Sequence, residues 1–370
     1  MTSAPRLEAL DAFRGITVAA MILVSTPGTW EAVYWPLDHA AWHGWTPTDL
    51  VFPFFVFAMG AAVPIALARR RGQPRNLRRH VARRALTLCG LGLLLNALKA
   101  PAPLDWSTFR LPGVLQRIAI VYVVVAWLTE KKSRAFQIGA AAALLLGYWA
   151  AMMLIPVPGV GAGVLTPDGN LASFLDRLLL GRHLAFGTWD PEGLLSTLPA
   201  IGTALCGVVA GDWLIRRADR RHHALALFAA GIATTLVALL WDRVFPINKN
   251  IWTSSFALLA AGLATMLFAF CHWVLDVQQW RAWSLPFVAF GRNALAAYVL
   301  SIALDTAMTQ WTLGSAADSL KWSVYSHGFA SWLARCCSTE LASLSYALAY
   351  VSLWALVVVA MYRRRVFVGI

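Results

Sequence analysis

Ten stretches of the 370-residue chain are apolar over roughly the 20 residues that a helix needs to cross a lipid bilayer. Hydrophobic residues make up 59% of the sequence and charged residues only 13%, which argues against a soluble fold with a polar surface. The sequence therefore predicts an all-α, polytopic membrane protein that forms one domain over residues 1–370. The ten predicted transmembrane helices cover residues 12–28, 49–68, 85–98, 112–129, 135–155, 193–215, 224–241, 251–274, 285–305 and 341–362.

Basic residues are concentrated in alternate connections between these segments. The connection RRRGQPRNLRRHVARR at 69–84 holds eight arginines, and shorter basic clusters lie at 131–134, 216–221 and 363–365. The positive-inside rule places such connections in the cytoplasm, which predicts cytoplasmic N- and C-termini. The same rule accounts for the net charge of +13 without a nucleic-acid partner.

The remaining connections are longer and less basic, and we expect them on the external side. Within 156–192, the string LASFLDRLLLGRHL has apolar residues at helical spacing and predicts a short helix on the membrane surface.

The cysteines lack metal-ligand spacing, so no metal is predicted, and a disulfide at the adjacent Cys336 and Cys337 is an alternative to free thiols. An aromatic belt at the external ends is predicted from Trp30, Trp35, Trp42, Trp45, Trp106, Trp189, Trp241 and Trp252.

The segment DHAAWHGWTPTDLVFPF at 38–54 places histidines and carboxylates at the external edge of the second predicted span. His39 and His43 are four residues apart, a spacing that on a helix would put both on one face for a metal ion. A glycine and a proline soon follow and disfavour that helix, so each histidine fits a general base or a structural hydrogen-bonding residue better. Asp49 fits two roles, a helix cap and a carboxylate that orients an imidazole.

Charged side chains inside predicted spans require an explanation, because they are costly within a bilayer. Arg117 and Arg292 lie in the fourth and ninth predicted helices, and each fits either a packing ion pair or an anion-binding site. Asp190 and Glu192, in WDPEGLL, fit helix capping or contact with a cationic or hydroxyl-rich substrate.

The absence of a GxSxG motif and of a Walker-type phosphate loop disfavours a serine hydrolase and an ATP-driven transporter.

Seven strings follow one another between residues 7 and 301, namely LDAFRGITVAAMILV, HAAWHGWTPTDLVFPFFVFAMG, LPGVLQRIAIVYVVVAWL, LDRLLLGRHL, WDPEGLLSTLPAIGTALCGVVAG, FPINKNIWTSSFALLAAG and FGRNALAAYVLS. In this order they resemble the heparan-alpha-glucosaminide N-acetyltransferase family and its bacterial relatives. The resemblance implies a membrane acetyltransferase that takes acetyl-CoA from the cytosolic side and acetylates the amine of a glucosamine across the membrane. It also implies that His39 is the catalytic histidine. Two positions depart from the family, since Ser25 replaces an asparagine and Arg292 replaces an apolar residue.

From the resemblance and the chemistry of amines we predict that His39 acts as a general base or, alternatively, as an acetyl carrier. Direct transfer is favoured, with Asp49 positioning the site. The predicted contacts to the donor acetyl-CoA are Arg117, Gln116, Asn293, Arg78, Arg79 and Arg83, and the predicted contacts to the acceptor are Ser25, Asp190, Glu192, Asn248 and Lys249. For most arginines of 69–84, an anchor on anionic lipid is an alternative role.

The acceptor predicted from the family is glucosamine or a chito-oligosaccharide. Two rival functions use the same polar residues, a transporter of amino sugars and a membrane scaffold without catalysis. The predicted partners are acetyl-CoA, an amino sugar and the lipid bilayer, with a homodimer as one possible assembly.

Overall fold

The computed structural model describes residues 7–69, 74–130, 132–215, 220–312 and 318–368. In these ranges the chain is helical and forms no β-strand, which agrees with the predicted all-α class. Parts of the predicted basic connections, at 70–73, 131 and 216–219, lie outside the described residues. The α-helices are α1 (Glu8–Ser25), α2 (Val51–Arg69), α3 (Pro74–Lys99), α4 (Val114–Thr129), α5 (Arg134–Leu154), α6 (Leu171–Leu180), α7 (Thr197–Ile215), α8 (Arg220–Trp241), α9 (Ser254–His272), α10 (Leu285–Arg292), α11 (Ala294–Gln310), α12 (Leu320–Tyr325) and α13 (Thr339–Arg363).

Seven of these helices are long and apolar enough to cross a membrane, which supports a multi-pass membrane protein. The α10–α11 pair adds an eighth candidate, and α4 is a shorter apolar helix. The figure of about ten spans and the cytoplasmic location of both termini stay predictions. The basic run 74–84 was expected as a connection, but it belongs to α3, which begins at Pro74 because proline suits the first helical turn.

The ninth predicted span, 285–305, is not one continuous helix. Helices α10 and α11 meet at 85°, and Asn293 lies between them with φ −117° and ψ 27°, outside helical geometry. Its side-chain Oδ1 accepts the Val368 N–H at 3.0 Å, so the C-terminal tail is fixed to the junction. No proline lies between residues 287 and 310, so the usual sequence mark of a helix break is missing here.

Helices α2, α7 and α9 form the centre of the bundle. In these three, 61%, 72% and 61% of the most apolar window is buried, against 17–28% in α3, α5, α8 and α13. The peripheral helices therefore present most of their apolar side chains to the surroundings, as helices in lipid do. Residues of the central helices support the loops that carry the polar cluster described below.

Close helix crossings depend on glycine. A Cβ on Gly15 of α1 would lie 1.7 Å from the Phe287 carbonyl oxygen, and one on Gly291 of α10 would lie 1.8 Å from the Asp11 carbonyl oxygen. Arg14 secures the same crossing, since its Nε donates to the Gly291 carbonyl at 2.8 Å. Small residues at helix interfaces allow such backbone approach in membranes.

One end of the bundle, here called the His39 face, consists of segments 26–50, 100–113, 155–196 and 242–253. Backbone and side-chain hydrogen bonds join these segments, including Gly44 N–H to Ile247 O at 2.8 Å and Trp42 Nε1–H to Leu165 O at 2.8 Å. The predicted short helix within 156–192 is present as α6. Its placement on a membrane surface stays a prediction.

Several tryptophans of the predicted aromatic belt are exposed, as Trp30, Trp35 and Trp106 show. Trp252 is different, because its side chain is fully buried and packs on Phe52 at a centroid distance of 5.2 Å. The belt interpretation is therefore wrong for Trp252, which is part of the protein interior. All five cysteines are free thiols in the structure, including Cys336 and Cys337.

Candidate active site

A histidine and an aspartate form the centre of the His39 face. His39 Nδ1 lies 2.6 Å from Asp49 Oδ1. The pair is asymmetric in exposure, since 45% of the His39 side chain is accessible and only 1% of the Asp49 side chain. The imidazole therefore has one nitrogen against a buried carboxylate, and much of the ring is open to the outside.

The local sequence explains why Asp49 is in place. Thr46 and Asp49 form a capping box in the turn before α2, with the Thr46 N–H donating to Asp49 Oδ2 at 3.0 Å. The Asp49 N–H also donates to the Thr46 backbone carbonyl at 3.0 Å, which closes the turn. The Ala40 N–H also donates to Oδ2, at 3.1 Å. Asp49 thus combines both roles that the sequence allowed, because Oδ2 caps the turn while Oδ1 faces the imidazole.

These hydrogen bonds determine which nitrogen of His39 is free. An ionised carboxylate only accepts hydrogen bonds, so the short contact to Asp49 Oδ1 requires the proton on Nδ1. The other nitrogen, Nε2, then carries a lone pair and can accept a proton. The backbone N–H of His39 donates to Asp38 Oδ1 at 2.8 Å, which further fixes the residue.

The loop 242–253 brings Asn248 and Lys249 to the same place. Lys249 Nζ lies 3.3 Å from His39 Nδ1 and 3.7 Å from Asp49 Oδ1. Asn248 is fully buried, and its Oδ1 accepts the Ile251 N–H at 3.2 Å, which holds the loop in shape. Lys249 is thus in direct contact with the dyad, whereas Asn248 supports the loop that carries it.

His43 lies beside this loop and outside the dyad. Its Nδ1 is 3.4 Å from the Asn248 amide nitrogen, and its side chain is exposed. Among the residues that the structure describes, no group of three histidine, cysteine, aspartate or glutamate side chains is arranged to hold a metal ion. The spacing of His39 and His43 therefore does not produce a shared metal site in the described part of the chain.

Asp190 and Glu192 converge on one arginine. Arg110 donates from Nε to Asp190 Oδ2 at 2.8 Å and from Nη2 to Asp190 Oδ1 at 2.7 Å, and it also contacts Glu192. Burial alone lowers the pKa of Arg110, but its hydrogen bonds and charge contacts with both acids raise the pKa above its usual value. The sequence analysis did not single out Arg110, because an arginine in a loop carries no motif.

Arg117 is fully buried at the start of α4. Its Nη2 donates to the Gly193 carbonyl at 3.0 Å and to the Ser196 hydroxyl, and its guanidinium carbon lies 5.1 Å from the Trp252 ring centre. Its Nε and Nη1 have no hydrogen-bond partner in the described part of the structure. Trp252 has φ 48°, an unusual value for a non-glycine residue, so the loop is strained where it meets the arginine.

Comparison with known proteins gives this cluster a context. A family model described as "Heparan-alpha-glucosaminide N-acetyltransferase, catalytic" matches residues 6–247, which is well over half of the chain. The chain belongs to this family. The resemblance predicted from the seven strings is thereby confirmed.

Two relatives in the family show the extent of the likeness. Heparan-alpha-glucosaminide N-acetyltransferase of Mus musculus is 30% identical over 370 aligned positions, which cover 84% of this chain and 56% of the relative. The Homo sapiens protein of the same name is 31% identical over 352 positions, which cover 80% of this chain and 52% of the relative. The chain thus spans about half the length of both relatives.

Within this family member, the predicted CoA contacts lie in different parts of the bundle. Arg78, Arg79 and Arg83 are exposed near the start of α3, roughly 24–32 Å along the helix from its last residue by the rise of 1.5 Å per residue. Asn293 occupies the α10–α11 junction. They do not form one cluster with the residues near the His39 face.

Gln116 lies at the other end of α3, near the His39 face. It packs against Gly92 of α3 and Gly113, since a Cβ on either glycine would come within 2.7 Å of its Oε1. Its Nε2 donates to the Leu111 carbonyl at 3.1 Å. Gln116 therefore joins α3 to the start of α4, and a contact with CoA stays a prediction.

The two family departures have distinct surroundings. Ser25 is the last residue of α1 and is half-buried. Arg292 packs against the C-terminal tail and the end of α13, with its guanidinium carbon 3.5 Å from the ring centre of Phe367 in the tail and 5.1 Å from that of Tyr362 in α13. This cation–π contact with the tail is a role that the sequence analysis did not include for Arg292.

Asp176 is a further buried acid near the cluster that the sequence analysis missed. It lies on α6, and its Oδ1 accepts the Leu194 N–H at 2.8 Å. Burial raises the pKa of Asp176 to about 6, although the Leu194 N–H and the charge of Arg117 act to lower it. The sequence feature that points to Asp176 is a single acid within the apolar helical string LASFLDRLLL. An aspartate in such a string either faces water or is buried with hydrogen-bond partners.

Proposed function

We propose that the chain is a membrane-embedded acetyltransferase that moves an acetyl group from acetyl-CoA to the amine of a glucosamine-type sugar, within a single domain over residues 1–370. The family supports the reaction class, and the His39–Asp49 dyad is the observation that carries the assignment. A buried carboxylate orients the imidazole, and the exposed ring offers Nε2 to a substrate. Such an arrangement suits proton removal from an amine.

The proposed step is direct transfer. Nε2 of His39 takes a proton from the acceptor amine as the amine nitrogen attacks the thioester carbonyl of acetyl-CoA. A C–N bond forms, the C–S bond breaks, and the CoA thiolate leaves and takes up the proton held on His39 Nε2, which restores the neutral imidazole. Asp49 stabilises the imidazolium that forms, because its carboxylate contacts Nδ1 at 2.6 Å.

An acetyl-imidazole intermediate on His39 is the alternative route. It uses the same free nitrogen, Nε2, first as a nucleophile and then as an acetyl carrier. We favour direct transfer because holding the thioester and the amine together removes the need for a covalent step. The two routes differ in one observable: only the second accumulates acetylated protein without acceptor.

We propose that acetyl-CoA enters from the cytosolic side of the inner membrane. The exposed guanidinium groups of Arg78, Arg79 and Arg83 lie at the end of α3 remote from the His39 face and suit the phosphates of CoA. The pantetheine arm would then thread between helices toward His39, with Gln116, Arg117 and Asn293 lining or bracing the path. Both chain termini are proposed to be cytoplasmic, and a homodimer is the proposed alternative to a monomer.

The acceptor is proposed to approach from outside as glucosamine or a chito-oligosaccharide. Lys249 contacts both members of the dyad, and the carboxylate of Glu192 acts electrostatically on Lys249, so we place both residues on the acceptor side. Ser25, Asn248 and Asp190 complete the proposed acceptor side. Both carboxylate oxygens of Asp190 are already engaged by Arg110 and by backbone N–H groups, so any substrate contact there competes with existing bonds.

The test uses two exposed histidines of the same segment. Purified protein in lipid nanodiscs is incubated with labelled acetyl-CoA and glucosamine, and N-acetylglucosamine is measured for the parent, His39→Gln and His43→Gln. We expect His39→Gln to lose about 100- to 10,000-fold in rate, the usual worth of a general base, and His43→Gln to stay within a few-fold of the parent. Retained transfer in His39→Gln overturns the catalytic assignment.

The rival functions give different results in the same system. A transporter takes up labelled glucosamine into proteoliposomes without producing N-acetylglucosamine, and a scaffold does neither. Labelled acetyl on the parent protein without acceptor, absent from His39→Gln, selects the acetyl-imidazole route over direct transfer.

A further inference from the structure

Lys249 is held against the edge of the His39 imidazole that faces Asp49. Its Nζ lies 3.3 Å from His39 Nδ1 and 3.7 Å from Asp49 Oδ1. The loop that carries Lys249 is tied to the histidine segment, because the Gly44 N–H donates to the Ile247 carbonyl at 2.8 Å. The lysine is therefore placed by the fold and not by a flexible surface chain.

The side chain of Lys249 is largely shielded from solvent. Only 17% of its side chain is exposed. Burial lowers the pKa of its ammonium group, while the carboxylates of Asp49 and Glu192 act to raise it. Asp49 Oδ2 is engaged by the N–H groups of Ala40 and Thr46, so Oδ1 is shared between the imidazole and the lysine.

The carboxylate and the ammonium act on the imidazole in opposite directions. Asp49 favours the imidazolium form of His39, because an opposite charge 2.6 Å from Nδ1 stabilises it. Lys249 disfavours that form, because a like charge lies 3.3 Å from the same nitrogen. A neutral imidazole with its proton on Nδ1 keeps the bond to Asp49 and leaves the Nε2 lone pair free.

Other titratable and charged groups around the dyad have different partners. The carboxylate of Asp38 accepts a backbone N–H of its own segment, and Asp242 accepts one within the lysine's loop. His43 lies 3.4 Å from an amide nitrogen of that loop. Glu192 and Arg117, from the α4 and α7 side, act electrostatically on the lysine. Within this set, the lysine is the cation in contact with the ring.

We infer that Lys249 is a positioning residue: its ammonium group, 3.3 Å from His39 Nδ1, opposes protonation of the imidazole and so keeps Nε2 available as a base. The inference rests on the proposed function, because it assigns His39 the role of base. It gives Lys249 a task in proton transfer in addition to the acceptor contact proposed above.

The test measures protonation of His39 directly. Diethyl pyrocarbonate modifies neutral imidazole, so its rate of reaction with His39, followed by mass spectrometry of the 38–54 peptide, reports the neutral fraction between about pH 5 and pH 8. In Lys249→Met we expect the midpoint to move to higher pH, because the like charge beside Nδ1 is removed, and in Lys249→Arg we expect the parental midpoint. His43, on the same peptide, serves as the internal reference and stays unchanged.

Two outcomes overturn the inference. The first is an unchanged His39 midpoint in Lys249→Met. The second is an equal shift at His43, which would mean that the whole segment has loosened. Lys249→Gln, which removes the charge but keeps a polar group, replaces the methionine variant if that variant fails to fold.

Kinetics separate this inference from the proposed function. The acid limb of kcat/KM for glucosamine acetylation is expected to move to higher pH in Lys249→Met by the same amount as the modification midpoint. A raised KM for glucosamine with an unmoved limb would show that Lys249 contacts the acceptor, and the inference fails. Modification needs no acetyl-CoA, so an absence of acetyl transfer in the parent refutes the proposed function alone.

Discussion

Arg110 and Asp190 are joined by two parallel hydrogen bonds of 2.8 and 2.7 Å across 80 residues of sequence. The aspartate is fully buried, and the arginine is about one-third exposed. The pair fixes the loop between α3 and α4 to the segment that leads into α7. That segment also provides the Gly193 carbonyl to Arg117, so the ion pair supports the wall of the candidate site.

Replacing Arg110 with methionine is expected to destabilise the protein strongly. Asp190 and Glu192 would lose their shared cation while Asp190 stays buried, and breaking a buried ion pair typically costs about 3 to 5 kcal/mol. The thermal unfolding midpoint in detergent, followed by tryptophan fluorescence, measures the effect. Arg134→Met is the matched control, because the Arg134–Asp212 pair is partly exposed on both sides and such pairs contribute about 0 to 1 kcal/mol. Equal losses in the two variants would contradict the assignment.

Asp49→Asn is expected to lower kcat for acetyl transfer by about 100-fold or more. The amide can present its NH₂ group to Nδ1, which would place the imidazole proton on Nε2 and remove the free base. Rates measured in nanodiscs at saturating acetyl-CoA check this. Asp38→Asn serves as the control, since Asp38 contacts the backbone of His39 and not its ring. Parental kcat in Asp49→Asn would show that orientation of the imidazole does not matter.

The helices were predictable because long apolar runs dominate the sequence, and each of the ten predicted segments contains a helix of the structure. The break at Asn293 was not predictable, because no proline marks it and the side chain of Asn293 has its partner in a tail residue 75 positions away. The capping role of Asp49 followed from the TPTD string, since a capping box is local. The convergence of Arg110 with Asp190, and of Lys249 with His39, depends on loop contacts that no local pattern encodes.

Gly291→Ala and Gly90→Ala are expected to change stability in opposite directions. A Cβ at Gly291 would lie 1.8 Å from the Asp11 carbonyl oxygen, so α1 and α10 must separate. We expect a cost of about 1 to 3 kcal/mol, the order seen for overpacked cores. A Cβ at Gly90 of α3 meets open space, and alanine there should stabilise the helix by about 0.5 to 1 kcal/mol. Thermal midpoints of the two purified variants test the pair. A stabilised Gly291→Ala protein would show that the crossing is looser than described.

Asp176 makes stability depend on pH. Burial raises its pKa to about 6 in the folded protein, above the ordinary value of 3.8, so the folded state binds the proton more tightly than the unfolded state. Its contribution to stability is fully present below pH 3.8 and is lost as the pH rises through about 6.

Asp176→Asn keeps an acceptor for the Leu194 N–H but cannot ionise. We therefore expect the stability of the variant relative to the parent to grow by on the order of 2 kcal/mol between about pH 4.5 and pH 7. Thermal midpoints across this range measure the difference, and Asp168→Asn, at an exposed position before α6, should follow the parent. An Asp176→Asn protein whose stability declines with pH as steeply as the parent's would show that this carboxyl does not carry the dependence.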